Sequence, residues 1–336
     1  MLFRPDLLLD RSEYAAQSAG WARGGEMDVL SDILMRMNLK GSLYFRTSFT
    51  PPWGVEVPAF ENVARFHYAH RGGCLVRVDG QPDIVRLQQG DLMIIPRGKS
   101  HRMFCDPRTE ADALALDRVI ELSGFMGEGA LVFGGAQAED ATQLVCGHFA
   151  FDPMARHPLL DRLPPFLLLR NYAEMSGKWL ETTLQMIGDE AGHGQMGGSL
   201  IVLKMSEIIF AQALRAFVAS QGAEAAGLQG FSDPQVLRAL AAMHREPEAD
   251  WTVADLAKRA GMSRTGFAVQ FSRVLSLTPM AYLARWRMQL ARQALKATRD
   301  PVAVVAEQVG YASEAAFARV FKKEFGITPA AFRKTG

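Results

Sequence analysis

The sequence predicts a two-domain α+β chain: a β-sandwich or barrel with flanking helices, followed by an all-α domain. Three observations carry this reading. Short apolar runs separated by turn residues fill Leu43 to Phe151, the period becomes helical from Ser176 onward, and residues 253–284 recur about 50 positions later. With 336 residues, 49% of them apolar and 22% charged, the chain can bury two cores, which excludes wholesale disorder and fibrous classes. No apolar run approaches the ~18 residues of a membrane span. Asp6 and Asp10 bracket only Leu7–Leu9, too short a run for a secretory signal. A cytoplasmic protein without a membrane partner is expected.

Residues 1–26 show no sustained period and are expected to form a poorly ordered extension. Val29, Leu30, Ile33, Leu34 and Met37 then mark a first helix. Strands are expected at Cys74–Val78 before Asp79-Gly80, at Ile84–Leu87 before Gln88–Gly90, and at Leu92–Ile95 before Pro96. Two helical stripes follow, Trp179, Leu180, Thr183, Leu184 and Ile187, then Leu200, Leu203, Ile208, Leu214 and Phe217. They close a domain over residues 27–220. Their width suits either a homodimer interface or packing on their own sheet. A Gly/Ala/Gln stretch makes 221–231 a linker, and 232–336 is helical throughout. Charge divides at the same place. Residues 231–336 hold 16 Lys+Arg against 9 Asp+Glu, leaving 21 against 27 before them, so a basic domain follows an acidic one and only the former suits a polyanion. Cys74, Cys105 and Cys146 form no CxxC pair and read as reduced thiols.

In the repeat, Ala257, Gly261, Phe267, Phe271, Thr278-Pro279 and Tyr282 match Ala306, Gly310, Phe317, Phe321, Thr328-Pro329 and Phe332. Each copy makes physical sense as a helix-turn-helix. The alanine lets two helices approach, the glycine four positions on frees the turn, and Ser263 or Ser313 caps the second helix, which two Phe at i and i+4 anchor. Pro279 to Ala297 reads as one connecting helix of about 28 Å, long enough to hold two reading helices near the ~34 Å turn of B-DNA.

The segments TVADLAKRAGMSRTGFAVQFSRVLSLTPMAYLARWRMQLARQAL and PVAVVAEQVGYASEAAFARVFKKEFGITPAAFRK resemble the tandem helix-turn-helix domain of the AraC/XylS family. The resemblance implies a sequence-specific transcription regulator, most often an activator that meets RNA polymerase on double-stranded DNA. Helical geometry turns Thr265, Ala268, Val269, Ser272 and Arg273 outward in the first copy, and Ala315, Ala318, Arg319, Lys322 and Lys323 in the second. Comparable positions touch DNA in the family. Arg319 can fork onto guanine, whereas Val269 can only pack on a thymine methyl or pyrimidine edge. Arg264, Arg273, Lys322 and Lys323 suit phosphates.

In the N-terminal half, GDLMIIPRGKSH, with Gly90, Pro96, Gly98 and His101, resembles the second signature of cupin β-barrels. The resemblance implies a cupin-like sensor barrel. The His-x-His and Glu of a metal-binding first signature have no counterpart near Ala59 to Phe66, so no metal, no cofactor and no catalytic residue is expected. His67 and His101 are left between two roles, polar groups lining the barrel and contacts to a ligand. QLVCGHF places Cys146 on a late strand and resembles regulators of this family that respond to reactive chlorine species. Their second cysteine has no counterpart in Arg46 to Trp53, which leaves sulfenylation of Cys146, pairing with Cys74 or Cys105, or plain burial. A small-molecule or oxidant effector is therefore expected. A cupin-fold enzyme with a DNA-binding tail and a nucleoid-type structural binder are the rival functions.

Overall fold

The computed structural model describes residues 28–36, 39–127, 129–134, 140–152, 154, 157–158, 162–172, 179, 182–183, 186, 196–220 and 233–334. The expected 1–26 extension, the 221–231 linker, and Leu180, Leu184 and Ile187 of the first helical stripe lie outside these residues.

After α1 (Val29–Arg36), eleven strands form two sheets among the described residues. They are β1 (Leu39–Phe49), β2 (Gly54–Val57), β3 (Val63–Arg71), β4 (Cys74–Val78), β5 (Val85–Leu87), β6 (Leu92–Ile95), β7 (His101–Phe104), β8 (Leu114–Ala115), β9 (Ala130–Phe133), β10 (Thr142–Phe151) and β11 (Leu167–Leu169). The larger sheet runs β11-β6-β3-β10-β1-β9 and the smaller β5-β4-β7-β2-β8. The two face each other as a sandwich rather than closing into one hydrogen-bonded barrel. α2 (Leu116–Ser123) and α3 (Gly198–Ser220) also belong to this half.

Period two explains the layering. In β4, Cys74, Val76 and Val78 are buried while Leu75 and Arg77 are partly exposed. β3 is buried on both faces. Ala69 joins Met93, Leu144 and Cys146 in the core between the sheets, while Phe66 and Tyr68 join Phe149, Ile209, Phe210 and Leu214 in the core beneath α3. This accounts for an apolar run without clean alternation. Before β7, the corner of the cupin signature requires glycine at position 98. Its φ is 55° and an added Cβ would sit 2.2 Å from the Phe60 carbonyl oxygen. That corner turns the chain so that His101 points between the sheets.

The C-terminal half comprises α4 (Pro234–Arg245), α5 (Val253–Ala260), α6 (Arg264–Leu275), α7 (Pro279–Ala297), α8 (Val302–Gln308), α9 (Glu314–Phe325) and α10 (Pro329–Lys334). The caps foreseen at Ser263 and Ser313 accept from the Gly266 and Ala316 backbone N–H groups. Thr252 and Asp255 form a reciprocal capping box at α5, and Gly261 ends that helix at φ 70°. The cores are unequal. Residues of the first helix-turn-helix share one continuous apolar cluster with α1, the outer face of the large sheet and α3. The second has its own cluster around Phe317, Phe321 and Phe332.

Candidate functional site

The helices expected to read DNA are α6 and α9. Phe267, Phe271 and Val274 are buried, as are Phe317 and Phe321, and the opposite faces are left to solvent. On α6, Arg264, Thr265, Val269 and Arg273 are exposed and Ala268 is half-buried. Val269 is 64% exposed, at the centre of that outward face. On α9, Ala315, Arg319, Lys322 and Lys323 are exposed and Ala318 is half-buried. The small residues let the backbone come close to a groove, and the cations can meet phosphates. Gln270 donates to Asp233, the cap of α4, at 2.6 Å and accepts from Arg273 at 3.0 Å, which steadies α6 on its support. The 19 residues of α7 separate the two units by about 28 Å of helix.

Between the sheets, the structure brings His67, His101 and Cys146 together. β3 and β10 pair with Cys146 opposite His67, and β7 supplies His101 from the other sheet. His67 Nδ1 lies 3.1 Å from Cys146 Sγ, its Nε2 lies 2.8 Å from His101 Nε2, and His101 Nδ1 lies 3.0 Å from the Lys99 carbonyl oxygen. A carbonyl can only accept, so His101 donates from Nδ1 and its Nε2 accepts from His67 Nε2–H. His67 Nδ1 is then the acceptor for the Cys146 thiol. Burial holds both imidazoles neutral, His101 down at about 4 and His67 well below its ordinary value, with the neighbouring Arg65 charge acting in the same direction. Burial also pushes the Cys146 thiol up, Cys74 adds to this, and Arg65 opposes it. Cys146 is thus a protonated thiol whose S–H donates to the neutral His67 ring. Because Cys146 and His101 approach opposite nitrogens of His67, the three cannot share one metal ion. Among the described residues no group of three or more His, Cys, Asp or Glu is placed to hold one. The three cysteines are unbridged.

A third arrangement joins the halves, and sequence reasoning missed it. One stripe of α7 meets the N-terminal domain. Tyr282 Oη lies 3.2 Å from His157 Nε2, Gln289 donates to the Met154 carbonyl at 3.2 Å, and Arg292 pairs with Asp152 at 2.8 Å. The Arg292 and Asp152 side chains are only 2% and 4% exposed. From α1, Arg36 donates to Gln293 at 2.9 Å and lies over the Trp286 ring. Also from α1, Asp32 Oδ2 lies 2.9 Å from His244 Nδ1, whose ring stacks on Trp286 and reaches Tyr282 Oη at 2.7 Å. Burial would raise the Asp32 pKa, but His244 and Arg36 hold it below the usual carboxylate value. Burial outweighs Asp32 at His244 and keeps that ring toward its neutral form. The signal in sequence was the polar pair Gln289 and Arg292 on an otherwise apolar helix face.

The sequence profile of the family described as Cupin matches residues 28–219, and that of the helix-turn-helix domain matches residues 256–335. The chain is 32% identical to a putative AraC-like transcription regulator of Streptomyces lividans, over 92% of this chain and 98% of that protein. It is 28% identical, over 92% and 98%, to the RCS-specific HTH-type transcriptional activator RclR of Escherichia coli strain K12. It is 27% identical, over 92% and 99%, to the HTH-type transcriptional regulator AlkR of Acinetobacter baylyi. Among solved structures, the DNA-binding domain of AdpA in complex with a target DNA is similar at 29% identity and a TM-score of 0.30, covering 31% of this chain and 92% of that one. No described helix is long and apolar enough to cross a membrane.

Proposed function

Since the chain belongs to the family of AraC-like transcription regulators, and so is a DNA-binding regulator, we propose that it activates promoters by setting α6 and α9 in successive major grooves of one operator. The observation that carries this reading is the matched pair of solvent-facing helices on one connecting helix, with anchoring Phe pairs inward and Val269 and Arg319 at the centres of the outward faces. Arg319 reads a guanine, Val269 packs on a thymine methyl, and Arg264, Arg273, Lys322 and Lys323 hold phosphates, while Thr265, Ala268, Ala315 and Ala318 line the approach. Arg319→Ala is expected to weaken binding to the operator by about 1–3 kcal/mol with little change on random DNA. Equal losses on both would reject base reading. Lys323→Gln is expected to reduce the slope of log K against log salt by about one, and an unchanged slope would reject the phosphate role.

The N-terminal domain is the sensing half in this reading, with Cys146, His67 and His101 as the sensor residues. An oxidant such as hypochlorous acid would transfer its chlorine to the Cys146 sulfur, the Cl–O bond breaking as the thiol proton leaves with the hydroxide as water, and hydrolysis of the resulting sulfenyl chloride would give a sulfenic acid, chloride and a proton. The α7 stripe that contacts the N-terminal domain is also the rod that spaces the reading helices, so a change there reaches DNA directly. Cys146→Ser is expected to abolish the oxidant response of a reporter gene while leaving DNA binding intact. An undiminished response would move sensing to a small molecule. The finding that supports a regulator over a cupin enzyme is the relatedness over 92% of the chain to named transcription regulators.

A further inference from the structure

Arg65 is 6% exposed, on the face of β3 that looks between the sheets. Its guanidinium lies 4.7 Å from the centre of the Phe60 ring, and among the described residues it makes no ion pair, while its Nε has no hydrogen-bond partner. Cross-strand from it, in register on β10, His148 also has a buried Nδ1 without a partner. Arg65 lines a cavity of about 330 Å³, counted with the solvent at its mouth, whose enclosed part has room for about one water-sized body. Arg65, Thr47, His67 and Cys146 line it among apolar groups including Val57 and Met103.

A guanidinium stays protonated when buried, and an uncompensated charge in apolar surroundings is strongly unfavourable. The neighbours do not compensate it. His67, His101 and His148 are held toward their neutral forms by burial, and Cys146 remains a thiol. Thr47 Oγ1 accepts from the Leu144 backbone N–H at 3.2 Å, so its own hydroxyl proton is available to donate. The wall therefore offers a cation and a hydroxyl donor, no carboxylate, and room for few atoms.

We propose that this cavity binds one compact monovalent anion, held by the Arg65 guanidinium and the Thr47 hydroxyl beside Cys146. The shared chemistry is a single negative charge on a body no larger than a halide or a one-carbon carboxylate. A dianion would bring a second charge that no described lining residue neutralises, and a bulky organic acid would not enter.

The test uses the full chain without DNA, so its outcome is independent of operator binding. Chloride-35 NMR linewidths are measured as protein is titrated into sodium chloride at an ionic strength held constant with sodium gluconate, whose anion is too large to enter. The expected result is saturable broadening that Arg65→Gln removes, Arg65→Lys keeps in part, and Thr47→Val weakens several-fold. Formate that displaces the chloride assigns the site to carboxylates, and formate that leaves it bound assigns it to inorganic anions. Linear, unsaturable broadening, or the same broadening in Arg65→Gln, overturns the proposal. Because Arg65→Gln removes a buried charge it is expected to fold. The unfolding midpoint gives a second readout, rising with chloride for the native chain and flat for the variant. A rise of equal size in both overturns the proposal as well.

Discussion

Asp152→Ala is expected to destabilise the protein by about 3–5 kcal/mol, the range for removing one partner of a buried ion pair. Arg292 is 2% exposed, and its guanidinium meets Asp152 across the seam between the two halves. Without that carboxylate it keeps Gln289 as a neighbour but, among the described residues, has no anion. Lys296, 3.8 Å from the same Asp152 oxygen, loses its partner too. The paired replacement Asp152→Leu with Arg292→Met removes both charges and is expected to recover most of the loss. Urea unfolding of the two single variants and the double variant measures the coupling. Additive losses would mean that the pair does not interact in solution.

Acidification from pH 7 to pH 4.5 is expected to remove several kcal/mol of stability, through histidines rather than carboxylates. Burial first, and neighbouring charge second, depress His157 to about 3, His101 to about 4 and His67 well below the 6.5 of an exposed imidazole. In that window the unfolded chain binds more protons than the folded one, so stability rises with pH. The contribution is complete above 6.5 and is lost as pH falls through each folded value. For His101 the depression corresponds to about 3 kcal/mol once pH lies below both values. The groups facing these rings set the same sign. Arg65 stands by His67 and His101, and His244 by His157, opposed there by Asp32. His101→Gln is expected to flatten the decline of the urea midpoint between pH 6.5 and 4.5. An equally steep decline would place the acid lability elsewhere. Depressed carboxylates such as Asp32 and Asp233 act lower, below the ordinary 3.8.

Much of the fold was legible from one-dimensional signals. The 49- to 50-residue repeat exposes both helix-turn-helix units because each needs a small residue, a turn glycine, a cap and two Phe at fixed spacing, and these are local demands. The outward faces of α6 and α9 follow from helical geometry once the Phe pairs are placed inward. The N-terminal strands were legible as strands, but their closure was not. Whether short strands form one barrel or two facing sheets depends on pairing between residues far apart in sequence, and the sandwich is the outcome here. His67 and Cys146 carry no shared motif. They meet because the register of β3 against β10 sets them opposite each other.

Arg65 and the α7 stripe were hidden for a related reason. On sequence, Arg65 is one charged residue in a strand, and Arg292 one in a basic amphipathic helix. Their burial depends on what packs over them. The sequence alone determined a duplicated helix-turn-helix head, its outward side chains and a β-rich domain before it, since local geometry and composition suffice for these. Only the tertiary structure decided that α7 serves two neighbours, that Asp152 and His157 come to meet it, and that a lone guanidinium lies between the sheets. The physical reason is that desolvation and ion pairing depend on distances between residues that chain order does not bring together.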